Sequence, residues 1–306
     1  MTWRHREVLG EYRELAVVAA AAVLGLTVQS PLVWVVHHQG IDVLLVVLVF
    51  STAIGIEPRS LRRLTASWRQ LCLALVVGAS VLPALSRLVS NLVEPGSLRD
   101  GVTTIGLAPC EIASIATTAI ATGDVALAGG VLIGSTMATV LVAGPILAFE
   151  SPGASVHPGH LIFNLLVIVA VPLAAGITVR LLTPLPARGE IVASATSTIA
   201  VAGLVALVAS EVHPSRKYLP VVLAILVFLI ASAIVGRIIA LGSGRRTMKA
   251  LLLTTSMRDF AIAAALATAA FGPAAAAPLG VYGITVLIWG TGSAGFMRAR
   301  HAEHGQ

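Results

Sequence analysis

Ten stretches of this chain are apolar for about the length a helix needs to cross a bilayer, and that pattern rules out most folds before any motif is read. They run approximately over 15–36, 41–56, 70–93, 102–121, 125–148, 161–181, 190–210, 219–241, 250–271 and 276–297. In hydrocarbon each backbone N–H and C=O must find a partner within the protein, so segments of this kind become helices. The expected fold is an all-α polytopic membrane protein with about ten transmembrane helices. Composition agrees, since 57% apolar against 11% charged residues lies outside the range of soluble domains.

The net charge of +6 is a topology signal rather than a nucleic-acid footprint, because the basic residues alternate between connections. One side collects Arg4, Arg6, Arg13, Arg59, Arg62, Arg63, Arg69, Arg180, Arg188, Arg237, Arg245, Arg246, Lys249, Arg298 and Arg300. The other holds Arg87, Arg99, Arg216 and Lys217. Both termini are therefore expected on the cytoplasmic side of a bacterial-type plasma membrane. Mixed charges among Trp3, Val8, Leu9 and Tyr12 make residues 1–14 read as an interfacial segment rather than a cleaved signal.

Residues 149–160 form the longest internal stretch without a spanning pattern and are read as an external linker between two halves, 15–148 and 161–297, with 298–306 as a cytoplasmic tail. Five spans per half give the halves opposite orientations, the arrangement of an inverted repeat. The fourth span of each half is polar where it should be driest. In the first, Gly106-Leu107-Ala108-Pro109-Cys110-Glu111-Ile112-Ala113-Ser114 interrupts the run; in the second, Thr254-Thr255-Ser256-Met257-Arg258-Asp259-Phe260 does. Pro109 removes a backbone donor and frees a carbonyl, and unwinding is expected at Thr254-Thr255-Ser256. Interrupted helices in matching places, spans 4 and 9, point to a solute site at the bilayer centre, as in secondary transporters.

Of the fourteen acidic residues only Glu111 and Asp259 lie near mid-span, with Arg258 as the deep base. If the broken segments cross, these three face a shared pocket. Either they form a structural ion pair that stitches the breaks, or Arg258 receives an anionic substrate group while Glu111 or Asp259 takes up and releases a proton. Pro109, Ser114, Thr254 and Ser256 complete the candidate substrate site. Ser135 and Thr139 in the fifth span are candidate ion ligands with Ser114, Glu111 and Asp259, while Gly130 and Gly134 there read as a packing face. All eight histidines are peripheral, so neither an intramembrane hydrolase nor a metal-dependent enzyme is expected. Cys72 and Cys110 read as apolar filler, and no metal or cofactor is expected.

The stretch Pro109-Cys110-Glu111-Ile112-Ala113-Ser114, then Ala121-Thr122-Gly123-Asp124-Val125-Ala126-Leu127 and Ser135-Thr136, resembles the Pro-Gly-Gly-x-Ala-Ser-Asn, Ala-x-Gly-Asn/Asp-x-Ala-Leu and Ser-Thr pattern of the bile acid:sodium symporter family. Ser256-Met257-Arg258-Asp259 is similar to that family's second crossing segment, and Ile54-Gly55-Ile56-Glu57-Pro58 to the end of its second helix. The resemblance implies a core domain of spans 3–5 and 8–10, a panel domain of spans 1, 2, 6 and 7, and alternating access between them. It also implies a small organic anion as substrate. Where sodium-coupled members carry polar ligands, this chain has Ile115, Gly78, Thr254 and Arg258. A guanidinium there opposes a sodium ion unless Glu111 and Asp259 neutralise it, so the coupling ion is left as sodium or a proton. Ala108-Pro109-Cys110 also resembles the fourth span of arsenite efflux permeases, which makes arsenite efflux the alternative substrate reading. An uncoupled channel or membrane sensor is the alternative outside active transport.

Overall fold

The structure, a computed structural model, describes residues 16–17, 19–55, 67–183, with 151–157 excepted, 186–212 and 215–303. The N-terminal interfacial segment, Ile56-Glu57-Pro58, the centre of the interhalf linker and the last residues of the tail lie outside them. Every regular element among the described residues is helical. Six helices are long and apolar enough to cross a membrane, and a sharply bent pair would make a seventh. These six fall on expected spans 3, 5, 6, 7, 8 and 10.

The four other expected spans hold shorter or broken helices among the described residues. In the first, α1 (Ala19–Thr27) and α2 (Gln29–His37) meet at 96° instead of forming one rod. Pro31 has no N–H to give the Thr27 carbonyl, so the ladder fails at that point. The second, α3 (Gly40–Gly55), has 16 described residues. After α4 (Trp68–Ser90), the fourth passage divides into α5 (Ser97–Thr104) and α6 (Ala113–Ile120). It is followed by α7 (Val125–Glu150).

The second half begins with α8 (Pro158–Leu165), which runs through a π-helical stretch, Leu166–Ala170, into α9 (Val171–Leu182). Pro172 cannot bond the Ile168 carbonyl, and the wider turn absorbs that lost donor. Then come α10 (Ala187–Ser210), α11 (Tyr218–Ile239), and a second broken passage of α12 (Arg245–Ser256) and α13 (Phe260–Phe271). A short 3₁₀ turn leads into α14 (Ala277–Glu303).

Packing sorts these helices into two groups. α3 lies along α9 and α10, with α2 on α10; α4, α5, α7, α11 and α12 pack on one another, with α13 on α5 and α6 on α14. The groups meet where α10 touches α14 and where α13 touches α3. Close approach depends on missing side chains at several points, Gly106 and Gly134 among them. A Cβ at Gly106 would stand 2.2 Å from the Leu82 carbonyl oxygen, so the link between α5 and α6 can press on α4 only because that residue is glycine. At Gly134 a Cβ would meet the Leu75 side chain at 2.8 Å, so this glycine lets α7 lie close to α4.

Candidate functional site

The two broken passages cross, and they are joined there by backbone. Glu111 N–H donates to the Met257 carbonyl at 2.9 Å and Asp259 N–H to the Pro109 carbonyl at 2.9 Å, making an isolated antiparallel bridge between Cys110 and Arg258. The outward N–H groups of the bridging pair are also satisfied: Cys110 donates to Ser135 Oγ at 3.0 Å and Arg258 to Tyr282 OH at 2.9 Å. Buried non-helical backbone is tolerable only where its polar groups find partners in this way.

The charged side chains continue the same accounting. Asp259 is the N-cap of α13, its Oδ1 accepting from Ala261 N–H and Ile262 N–H, each at 2.9 Å. Glu111 Oε2 accepts a longer bond, 3.3 Å, from Phe260 N–H. Both carboxylates thus sit at the positive end of α13. The Arg258 guanidinium donates to the Ala108 carbonyl, one of the acceptors released by the break. Thr139 Oγ1 covers the Leu107 carbonyl at 3.0 Å, and Thr104 Oγ1 reaches across to the Ala263 carbonyl at 3.1 Å. Arg258 has no carboxylate within ion-pair distance among the described residues, where the side-chain pair found is Arg180 with Glu190 at 2.7 Å. Its Nε also lacks a hydrogen-bond partner there.

In place of one pocket shared by Glu111, Arg258 and Asp259, the crossing opens in three directions. Glu111 lines a cavity of about 250 Å³ between the two helix groups, with Thr117 from α6, Thr291 from α14, and Ser194, Ser197 and Thr198 from α10. Leu48 and Thr52 of α3 close its far side. Asp259 faces a space of about 20 Å³ beside Thr52 and Thr136. Arg258 points the other way, into about 10 Å³ beside Gly78, Ser135 and Thr139. That remaining volume is at the limit for one water molecule, so the guanidinium nearly fills it. A Cβ on Gly78 would still lie 3.7 Å from its nearest nitrogen.

Unwinding falls later than the sequence suggested. α12 continues through Thr254, Thr255 and Ser256, and the chain turns extended at Met257 and Asp259. The physical reason is that the hydroxyls bond back to their own helix: Thr254 Oγ1 to the Ala250 carbonyl at 2.8 Å, Ser256 Oγ to the Leu253 carbonyl at 3.3 Å. Ser256 Oγ also accepts from Trp289 Nε1 at 3.1 Å. The other site candidates lie at the crossing, Pro109 through its carbonyl and Ser114 through a 3.0 Å contact with Cys110 Sγ. Cys110 is fully buried, away from the 250 Å³ cavity.

The crossing therefore gathers Pro109, Glu111, Ser114, Ser135, Thr139, Arg258 and Asp259, and leaves Thr254 and Ser256 within α12. Sequence reasoning passed over the hydroxyl face of α10. Ser194, Ser197, Thr198 and Val201 recur at helical spacing and line the cavity together, a signal present in the chain. Tyr282 and Thr52 had no such signal.

The chain is 26% identical over 275 residues to a Bacillus subtilis (strain 168) protein named "uncharacterized sodium-dependent transporter YocS", covering 86% of this chain and 84% of that one. Residues 42–220, more than half of the chain, match the model of the sodium bile acid symporter family. A polytopic helical chain with broken, crossing passages and this match is an integral membrane transporter rather than an enzyme, and it belongs to the sodium bile acid symporter family.

Proposed function

We propose that this protein is a secondary active transporter of a small organic anion, working by alternating access around the crossing of α5/α6 with α12/α13. On this reading the ten passages form two inverted five-helix repeats, 15–148 and 161–297. The group containing α3, α9 and α10 is the panel against which the crossing core moves, and both termini are cytoplasmic. The observation that carries the proposal is the position of Glu111. It belongs to the hydrogen-bonded crossing and also lines the 250 Å³ cavity between the two helix groups, where hydroxyls of α10 and α14 face it.

That position links the anion to a proton. A carboxylate and an anionic substrate repel each other in a low-dielectric cavity, so both occupy it favourably only when Glu111 carries a proton. Arg258 lies across the crossing from the cavity and supplies a fixed positive charge to the region, while Asp259 holds the N-terminus of α13 in register. Beside Ser135 and Thr139 lies the Arg258 guanidinium, a fixed positive charge that opposes a sodium ion at their hydroxyls. These features favour a proton over sodium as the coupling ion. Cys110 lies outside the cavity, which favours an organic anion over arsenite.

Proteoliposome uptake of a panel of organic anions and arsenite, under separate sodium and proton gradients, tests the proposal. Accumulation against a gradient driven by protons supports it. Flux that only equilibrates identifies a channel, and accumulation that needs sodium overturns the assignment of the coupling ion.

A further inference from the structure

Another cavity among the described residues is lined by none of the residues that form the bridge between the broken passages. It measures about 890 Å³ and opens between α11 and α14, with the first turns of α12 as its floor. Its charge is one-sided: Arg237, Arg245, Arg246 and Lys249 line it, and no acidic residue does. Lys249 is buried, donating to the Ala121 carbonyl at 2.6 Å and Thr122 Oγ1 at 3.0 Å. This contact holds the turn after α6, where Thr122 takes a φ of 58° that a β-branched residue adopts at a cost. The three arginines are exposed and have no ion-pair partner among the described residues.

The walls are apolar and face outward. Ile230 and Ile234 on α11 are 51% and 53% exposed, and Phe296 on α14 is 59% exposed, so the groove opens sideways from the bundle along the flanks of two helices. Trp289 lies deeper on the same wall. A water-soluble anion would neutralise the arginines and leave these walls uncovered. An amphiphile with one phosphate and two acyl chains satisfies both parts, with its phosphate at the arginines and its chains along α11 and α14.

We propose that this groove is a binding site for an anionic phospholipid, held at its headgroup by Arg237, Arg245 and Arg246. It lies outside the cavity of Glu111, and its occupancy does not depend on what the protein transports. Through Lys249 and Thr122, the groove touches the ends of both broken passages.

The test uses the full chain with Trp3, Trp34 and Trp68 replaced by phenylalanine, leaving Trp289 as the fluorophore. The protein is reconstituted in phosphatidylcholine vesicles containing a small fraction of lipid brominated on the upper acyl chain, either phosphatidylglycerol or phosphatidylcholine. Trp289 should be quenched more strongly by the brominated phosphatidylglycerol. Each arginine-to-glutamine substitution should lower that preference about 5-fold at low salt, given the attraction of one basic side chain to an anionic surface. The triple variant R237Q/R245Q/R246Q should abolish it, and the triple lysine variant, which keeps the charge, should retain most of it. Equal quenching by the two lipids overturns the proposal. So does a preference that survives the triple glutamine variant, or one removed by millimolar inorganic phosphate, which would identify a soluble anion as the occupant.

Discussion

Glu111→Gln separates the two tasks assigned to this residue. The amide keeps nearly the same shape, and its oxygen can accept the Phe260 N–H bond that the carboxylate now accepts at 3.3 Å. A bond that long contributes at most about 1 kcal/mol, so the fold should survive, with a melting temperature in detergent within a few degrees of the parent. Coupling should not survive. If one proton enters with each anion, every unit of pH difference supplies about 1.4 kcal/mol and sustains tenfold accumulation of substrate. With no titratable group on the cavity, that driving force disconnects and the variant should only equilibrate substrate, at a rate little affected by internal pH. The assay is uptake of the preferred anion into proteoliposomes with an imposed pH step of one unit. A Glu111→Gln protein that still accumulates substrate tenfold would refute the reasoning, because the proton would then be travelling on another group.

The remaining predictions concern the stitching of the crossing. Arg258→Gln should reduce anion uptake to background while the protein still inserts and purifies; unaltered transport would remove Arg258 from the machinery. Asp259→Ala strips the cap from α13, where one oxygen serves Ala261 and Ile262, and should cost about 1–2 kcal/mol, read as a lowered melting temperature. Gly106→Val would drive a side chain into the Leu82 carbonyl and should prevent stable folding, whereas Gly129→Ala, with open space around it, should leave the melting temperature unchanged. Gly78→Ala should be silent in both stability and uptake, since its Cβ clears the guanidinium at 3.7 Å, but Gly78→Leu should displace Arg258 and reproduce the Arg258→Gln defect.

Much of the architecture was legible because hydrocarbon leaves a chain few choices. Apolar runs of bilayer length had to be helices, and the polar centres around Glu111 and Arg258-Asp259 had to be interruptions. The positions of Pro109 and Cys110 located the first break correctly. The second lies just beyond Thr254-Thr255-Ser256, because hydroxyls at Thr254 and Ser256 read in sequence as a weak point but fold back onto their own helix. The 96° bend after Thr27 was also legible in principle from Pro31, yet an apolar run looks continuous whether or not its helix is. The hydroxyl face of α10 is written at helical spacing, but hydroxyls at that spacing also sit on helices that line no cavity, so only packing shows what the face meets.

Taken alone, the sequence determined the helical class, the presence of two interrupted passages and the short set of buried charges that had to be accommodated. Direction was left to tertiary structure. Glu111, Arg258 and Asp259 leave the backbone within a few residues of one bridge, and where each points depends on which acceptors and donors the crossing leaves unpaired. Arg258 turns to the Ala108 carbonyl, Asp259 to the Ala261 and Ile262 N–H groups, and Glu111 to both the Phe260 N–H and the cavity beside α10. Residue order fixes what must be neutralised in a low-dielectric interior, but only the packed arrangement of both halves decides which group is spent on backbone and which still faces a solute.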